Sequence, residues 1–350
     1  MKIGIYNPYF DSYGGGERYT LTLAEHWSLL HDVSVLWNNK SMLNKAEERF
    51  SLDLDRVHVT PNFFSSGTLF NKLIESRRYD LLFILSDGSI PVSMAKCNIL
   101  HFQVPFPRIR LPVWKTFNYQ HVVCNSEFTR KNLDPSIQIP TSVIYPPVDT
   151  EAFTYDRKTK TILSVGRFDK GFGAKKHGIL IDVFRKGVEN RDLTDWKLII
   201  AGSVPPRNED YLKMLKKKAE GLPVLFYPDY PFSELRRLYA KASFYWHAAG
   251  FSETAPQNME HFGITTVEAM VSGAIPLVFD GGGQSDIVFD NRNGFLWKTK
   301  DELLVKTCML IKQPEKYKII AEQARKTAET YSKKQFVESF DRLLHDICKQ

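Results

Sequence analysis

Pro146-Pro147-Val148-Asp149, followed by Thr161-Ile162-Leu163-Ser164-Val165-Gly166-Arg167-Phe168, is the stretch that decides the fold. Paired prolines continue neither a helix nor a central strand, so residues 146–157 read as a linker. The β-rich run after it restarts a pattern that the chain has already completed once. Before the linker, short apolar runs at 3–6, 33–37, 81–85, 98–102, 121–124 and 142–145 alternate with helical patterns such as 17–30. After it, strands are expected at 161–165, 197–201, 224–227, 244–247 and 276–279, with a helix around 180–184. Strands alternating with helices indicate βαβ units and a parallel sheet. Two such series predict an α/β fold of two Rossmann-like, doubly wound domains, residues 1–150 and 155–332, with a crevice between them. Residues 315–350, opened by Pro314, read as mostly helical, with Phe336, Val337, Phe340, Leu343 and Leu344 at helical spacing.

Bulk properties narrow the function. A chain of 350 residues, 43% hydrophobic and 25% charged, suits two soluble domains. The net charge of +7 suits a polyanionic partner: nucleic acid, an anionic headgroup or a sugar diphosphate. Residues 1–150 hold 15 Lys plus Arg against 14 Asp plus Glu, so the excess lies in the second half. No Lys/Arg run is interleaved with aromatics, so nucleic acid is not an expected partner. Cys97, Cys124, Cys308 and Cys348 are far apart and form no C-x-x-C pair, which argues against zinc and disulfides and for a reducing compartment. The opening apolar run is too short for a signal peptide, and nothing approaches the ~20 apolar residues of a membrane span. The expected setting is the cytoplasm, with peripheral contact at the inner face of a membrane the one membrane role left open.

Three segments could carry chemistry. Gly14-Gly15-Gly16-Glu17-Arg18 follows the first strand and starts a helix, where glycines and free amides let a phosphate approach. A tight strand-to-helix turn is the other reading. It is not G-x-G-x-x-G, and no acidic residue ends the second strand to hold a nicotinamide ribose. Gly166-Arg167-Phe168 and Lys175-Lys176-His177 lie after the first strand of the second domain, where ligands bind in open α/β sheets. Arg as a fork and Lys as a point charge suit a diphosphate, and could neutralise a departing nucleotide without metal. A solvated basic loop is the alternative. In Glu260-His261-Phe262-Gly263-Ile264-Thr265-Thr266-Val267-Glu268, a helix is expected to start near Gly263, with Glu260 in the preceding loop. Eight helical residues span about 12 Å, which suits two carboxylates gripping opposite ends of one sugar nucleotide rather than a glycosidase pair. Two surface glutamates on an amphipathic helix would look the same.

Together these segments resemble the retaining family 4 glycosyltransferases of GT-B fold, whose hallmark is this E-x7-E segment with Phe-Gly behind its first glutamate. The resemblance covers essentially the whole chain and includes Gly282-Gly283 and Asn293-Gly294-Phe295. It implies that Glu260 binds the donor sugar, Glu268 the nucleotide ribose, and Arg167 and Lys175 the diphosphate. Phe262, Gly263 and Ile264 would contribute backbone contacts, Thr265 would join the donor-binding set, and Gly15 and Gly16 would face the diphosphate. His101 resembles the family's active-site histidine, with a satisfied core histidine as the alternative. The C-terminal helix, about 333–350, would cross back onto the first domain. The implied activity is metal-independent, retaining transfer of a hexose from a UDP- or GDP-sugar to a glycan or lipid-linked glycan acceptor. No cofactor is expected, and the donor diphosphate would take the acceptor's proton. Two departures, Asp286 for the usual Glu and the glycine-free Tyr227-Pro228-Asp229, leave the base open. His247 with Ala248-Ala249-Gly250-Phe251 suggests a branch acting on isoprenoid-linked or surface polysaccharides.

Asp53-Leu54-Asp55 is formally D-x-D but falls in a polar stretch, so a metal site is not expected there. Residues 105–115 mix aromatic, proline and basic residues and could be an acceptor loop or an ordinary cleft lining. Phe63-Phe64 and Arg77-Arg78 flank a candidate amphipathic helix. The rival functions are a sugar-nucleotide epimerase or hydrolase and a non-catalytic nucleotide-sugar-binding scaffold.

Overall fold

The computed structural model describes all of the chain except residues 13, 110–112, 172, 349 and 350, and the side chains of 113, 114 and 348. The middle of the candidate acceptor loop at 105–115 thus lies outside the described residues. By its internal contacts the chain divides into two compact units, Met1–Pro147 with Lys333–Gln350, and Val148–Ser332.

The first unit carries β1 (Lys2–Tyr6), β2 (Asp32–Leu36), β3 (His58–Thr60), β4 (Leu81–Leu85), β5 (Cys97–Phe102), β6 (His121–Cys124) and β7 (Thr141–Val143). They form one parallel sheet in the order β3-β2-β1-β4-β5-β6-β7. Every residue of β4 and β5 is buried, because helices cover both faces of such a sheet; hence the unbroken apolar run of β4, while β5 carries Asn98 and His101 among its apolar residues. The helix Gly15–Ser28 and the C-terminal helix Lys333–Cys348 pack together on this sheet. Tyr19 meets Phe336 edge-on at 4.7 Å between ring centroids, and Trp27 meets Phe340 at 5.7 Å. Lys333 pairs with Glu25 at 2.5 Å, and His26 with Asp341 at 2.8 Å. The last helix of the chain therefore completes the core that the first residues begin.

The second unit carries β8 (Thr159–Val165), β9 (Lys197–Gly202), β10 (Val224–Pro228), β11 (Ala242–His247), β12 (Ile275–Phe279) and β13 (Phe295–Trp297). Their order, β10-β9-β8-β11-β12-β13, is again parallel and doubly wound. In both sheets the strand order reverses beside the first strand, and ligands of open α/β sheets bind at the carboxyl ends there. The chain after Pro147 is firmly held within this unit. Val148 donates its N–H to the Tyr331 carbonyl at 2.9 Å and forms a parallel bridge with Ser332, while Phe153 packs edge-on to Tyr239. Among the described residues no helix is long and apolar enough to cross a membrane.

Candidate functional site

At the carboxyl end of β8, Phe168 turns into the core against His177 while Arg167 stays exposed. Gly166 leaves the room that Lys175 occupies: a Cβ there would stand 2.5 Å from Lys175 Cγ. Lys175 runs over this glycine and places Nζ 2.6 Å from Glu260 Oε2. His247, at the end of β11, brings Nε2 to 2.9 Å from the same oxygen, though off the direction of its N–H. Neighbouring Lys176 pairs with Glu253 at 2.5 Å.

Glu260 lies in the loop before the helix Ile264–Val271, and Glu268 lies within that helix. Gly263 caps the helix at φ +115°, a conformation that side chains rarely adopt, and a Cβ there would stand 2.7 Å from Gln284 Nε2. The first amides of such a helix have no intrahelical acceptor and can meet an anion. Gly282 and Gly283 press their backbone against Glu260 and His261, and Gly283 donates to the Glu260 carbonyl at 2.6 Å. The Gly-Gly pair and the E-x7-E loop are thus one packed unit. Glu268, buried, accepts the Tyr239 hydroxyl at 3.0 Å, and Thr265 accepts that of Tyr245 at 2.7 Å. Phe262 turns its ring into the core against Tyr331 at 5.3 Å. Behind the loop, Thr266 donates to Gln284 Oε1 at 3.1 Å, and Gln284 Nε2 donates to His247 Nδ1 at 3.3 Å.

Burial alone would raise the Glu260 carboxyl, but the Lys175 charge and His247 outweigh it and hold it well below the usual carboxylate range. Burial lowers His247 despite Glu260, and drives His177 down to about 3 with help from Lys175 and His247. Around Glu260 the site therefore presents the carboxylate, the Lys175 ammonium and the neutral imidazoles of His247 and His177.

In the first unit, Glu17 is buried and its carboxylate accepts the Gly14 N–H at 2.6 Å, the Ser12 hydroxyl at 2.7 Å and the Asn7 amide at 3.2 Å. This holds the glycine turn, with Gly15 exposed and Gly16 against the Gln103 side chain. His101 is fully buried and stacks on Tyr19 at 4.1 Å. Its Nδ1–H donates to the Val123 carbonyl at 2.9 Å, and its Nε2 accepts from Gln103 at 3.1 Å. Burial pushes its pKa down to about 3. Both ring nitrogens are engaged, as in the core-histidine alternative.

The structure therefore brings Lys175, Glu260, Phe262, Gly263, Ile264, Thr265 and Glu268 into one neighbourhood of the second unit, with Arg167 exposed at the end of its central strand. Gly15, Gly16 and His101 form a separate cluster in the first unit. Sequence reasoning did not single out Gln284, Tyr239, Gln103 or Asn7, which reach the site residues only through the fold. Glu47, Asp53 and Asp55 come together at the D-x-D segment. There Glu47 accepts the Leu54 N–H and Asp53 the Asp55 N–H, as carboxylates do when they shape a turn.

Comparison with known proteins agrees with this geometry. The family model for glycosyl transferases group 1 matches residues 149–327, and that for glycosyltransferase family 4 matches residues 13–152. A GDP-Man:Man(3)GlcNAc(2)-PP-Dol alpha-1,2-mannosyltransferase of Xenopus tropicalis is 31% identical over 221 residues, covering 57% of this chain and 42% of that protein. The alpha-1,3/1,6-mannosyltransferase alg2 of Schizosaccharomyces pombe is 26% identical over 232 residues, covering 56% of this chain and 43% of that protein. The matches thus span less than half the length of these curated relatives. Among solved structures, Anabaena HepE in complex with UDP and glucose superposes with a TM-score of 0.74 at 18% identity, covering 99% of this chain and 100% of that one. Sucrose-phosphate synthase from Thermosynechococcus elongatus gives 0.71 at 12%, covering 100% and 99%. Two doubly wound sheets, the E-x7-E loop locked under its Gly-Gly pair, and these matches lead to one conclusion: the chain belongs to the group 1 (family 4) glycosyl transferases, with the GT-B fold.

Proposed function

We propose that this chain is a retaining, metal-independent hexosyltransferase that moves a hexose from a nucleoside-diphosphate sugar to a glycan or lipid-linked glycan acceptor. The observation that carries the reading is the pairing of Lys175 with Glu260 beside the helix that bears Glu268. This arrangement offers a cation for a diphosphate, one carboxylate for sugar hydroxyls and another for ribose hydroxyls. Arg167 would join Lys175 on the diphosphate, and Phe262, Gly263, Ile264 and Thr265 would line the donor. Gly15 and Gly16 are assigned to phosphate contact and His101 to the sugar on the family resemblance. Of the candidate donors, a GDP-mannose type is favoured, because several relatives carry GDP-Man in their names together with Man(3)GlcNAc(2)-PP-Dol.

In the reaction, the bond from sugar C1 to the diphosphate oxygen breaks and the acceptor oxygen bonds to C1 on the same face. The acceptor's proton passes to a diphosphate oxygen, so no protein base is required. Arg167 and Lys175 offset the charge developing on the leaving diphosphate. Peripheral membrane contact belongs to the same reading: the helix Leu69–Ser76 exposes Leu69, Phe70 and Ile74, with Arg77 and Arg78 exposed at its end.

Thermal shift and product analysis with UDP-, GDP- and ADP-sugars in EDTA test the proposal. Stabilisation by one donor, lost in Glu268→Ala and Arg167→Ala, and transfer to an added acceptor are the expected results. Sugar release or epimerisation as the main reaction with acceptor present would favour the hydrolase or epimerase reading. Binding without any turnover would favour the scaffold.

A further inference from the structure

The hydrogen bonds behind Glu260 assign a role to two side chains outside the E-x7-E segment. Glu260 Oε2 is shared: Lys175 Nζ stands at 2.6 Å and His247 Nε2 at 2.9 Å. When Lys175 swings to the donor's diphosphate, its ammonium leaves the carboxylate. A mostly buried carboxylate stripped of its cation is strongly disfavoured unless another donor group takes over. His247, on β11, is the group already within reach.

Its protons are set from behind. The Thr266 hydroxyl donates to Gln284 Oε1 at 3.1 Å, and Gln284 Nε2 faces His247 Nδ1 at 3.3 Å. An amide nitrogen offers only hydrogens, so Nδ1 must supply the lone pair and the ring's proton must sit on Nε2, facing Glu260. While Lys175 holds the carboxylate, that N–H is off line with Oε2. Once Lys175 leaves, a small rotation of the carboxylate would bring it into line. Gly263 leaves the space in which Gln284 lies.

We infer that His247, oriented by Gln284, is a positioning residue that takes over the Glu260 carboxylate when Lys175 turns to the diphosphate, and so aims Glu260 at the donor sugar. The inference rests on the donor reading above. His247 contacts Glu260 and not the diphosphate, so its loss is felt in recognition of the sugar.

GDP and GDP-mannose, or the pair returned by the donor screen, are titrated calorimetrically into wild type, His247→Phe, Glu260→Gln and the double variant. In His247→Phe the nucleotide is expected to bind within about twofold of wild type, while sugar-nucleotide affinity and kcat each fall about tenfold or more. The double variant should lose little beyond Glu260→Gln alone. Should His247→Phe fail to fold, Gln284→Met, which removes the amide that sets the ring, must show the same split. Equal loss for both ligands, unchanged sugar-nucleotide binding, or additive losses in the double variant would overturn the inference while leaving the donor reading intact. A wild type that binds neither ligand would overturn both.

Discussion

Lys175 Nζ and Glu260 Oε2 meet at 2.6 Å although 85 residues separate them in the chain, and the lysine reaches the carboxylate only because Gly166 has no side chain in its path. Both partners are mostly buried, so each is the other's main compensation.

Lys175→Met should therefore destabilise the second unit at pH 7 by about 3 kcal/mol, since it leaves a buried carboxylate with no counter-charge and only the neutral His247 N–H beside it. The sign of the pH dependence follows from Glu260, whose folded pKa lies well below the unfolded value of 4.5. The pair's contribution is present in full above pH 4.5 and is lost as pH falls through the folded value. Denaturant titrations of wild type and variant at pH 7 and below pH 4 should show the gap narrowing in acid. A gap independent of pH would mean that the two groups are not coupled.

Gly282→Ala should weaken both stability and sugar-nucleotide binding. Gly282 sits at φ +68°, and a Cβ there would run into the Glu260 carbonyl. Strain and displacement together should cost about 2 kcal/mol, a fall of roughly 5 °C in Tm by scanning calorimetry. An unchanged Tm would show that the two loops can part freely.

His101 should make the first unit sensitive to mild acid. Its pKa falls from 6.5 in the unfolded chain to about 3 in the fold. The unfolded chain therefore binds a proton between those values that the folded one refuses, and stability falls as pH drops below 6.5. At pH 5 this single ring should account for about 2 kcal/mol lost relative to pH 7. His101→Phe should flatten that slope in equilibrium unfolding; an identical slope in the variant would place the acid sensitivity elsewhere.

Phe340→Ala removes a fully buried ring packed against Trp27, Phe83 and Tyr19. A loss of about 3–5 kcal/mol is expected, confined to the first unit. Limited proteolysis should then open Met1–Pro147 while Val148–Ser332 stays protected. Cleavage of both units at the same denaturant concentration would contradict the division.

The architecture was legible because buried parallel strands announce themselves. Leu81–Leu85 is apolar throughout, Phe244-Tyr245-Trp246 is an aromatic run inside Ala242–His247, and the prolines at 146 and 147 mark where one series ends. The three-residue strand Phe295–Trp297 was not recognised, because so short a run has no periodicity to read. The loop position of Glu260 and the helical position of Glu268 could be read from local pattern around Gly263. Their partners could not. His247 stood out only as part of an unusual run, and Gln284 reaches it across 37 residues, a contact made by sheet order and a Gly-Gly turn rather than by any spacing along the chain.

The placement of the helix Lys333–Cys348 has a consequence for the order of assembly. The unit that begins with Met1–Pro147 lacks Phe336 and Phe340, and with them one wall of its interior, until the helix Lys333–Cys348 has been made. The unit closed by the bridge between Val148 and Ser332 has all its parts earlier. During vectorial synthesis, then, the unit Val148–Ser332 has its full set of residues before the other unit does. The residues that emerged before it must wait, their aromatic side chains unburied, which reverses the usual amino-terminal-first order.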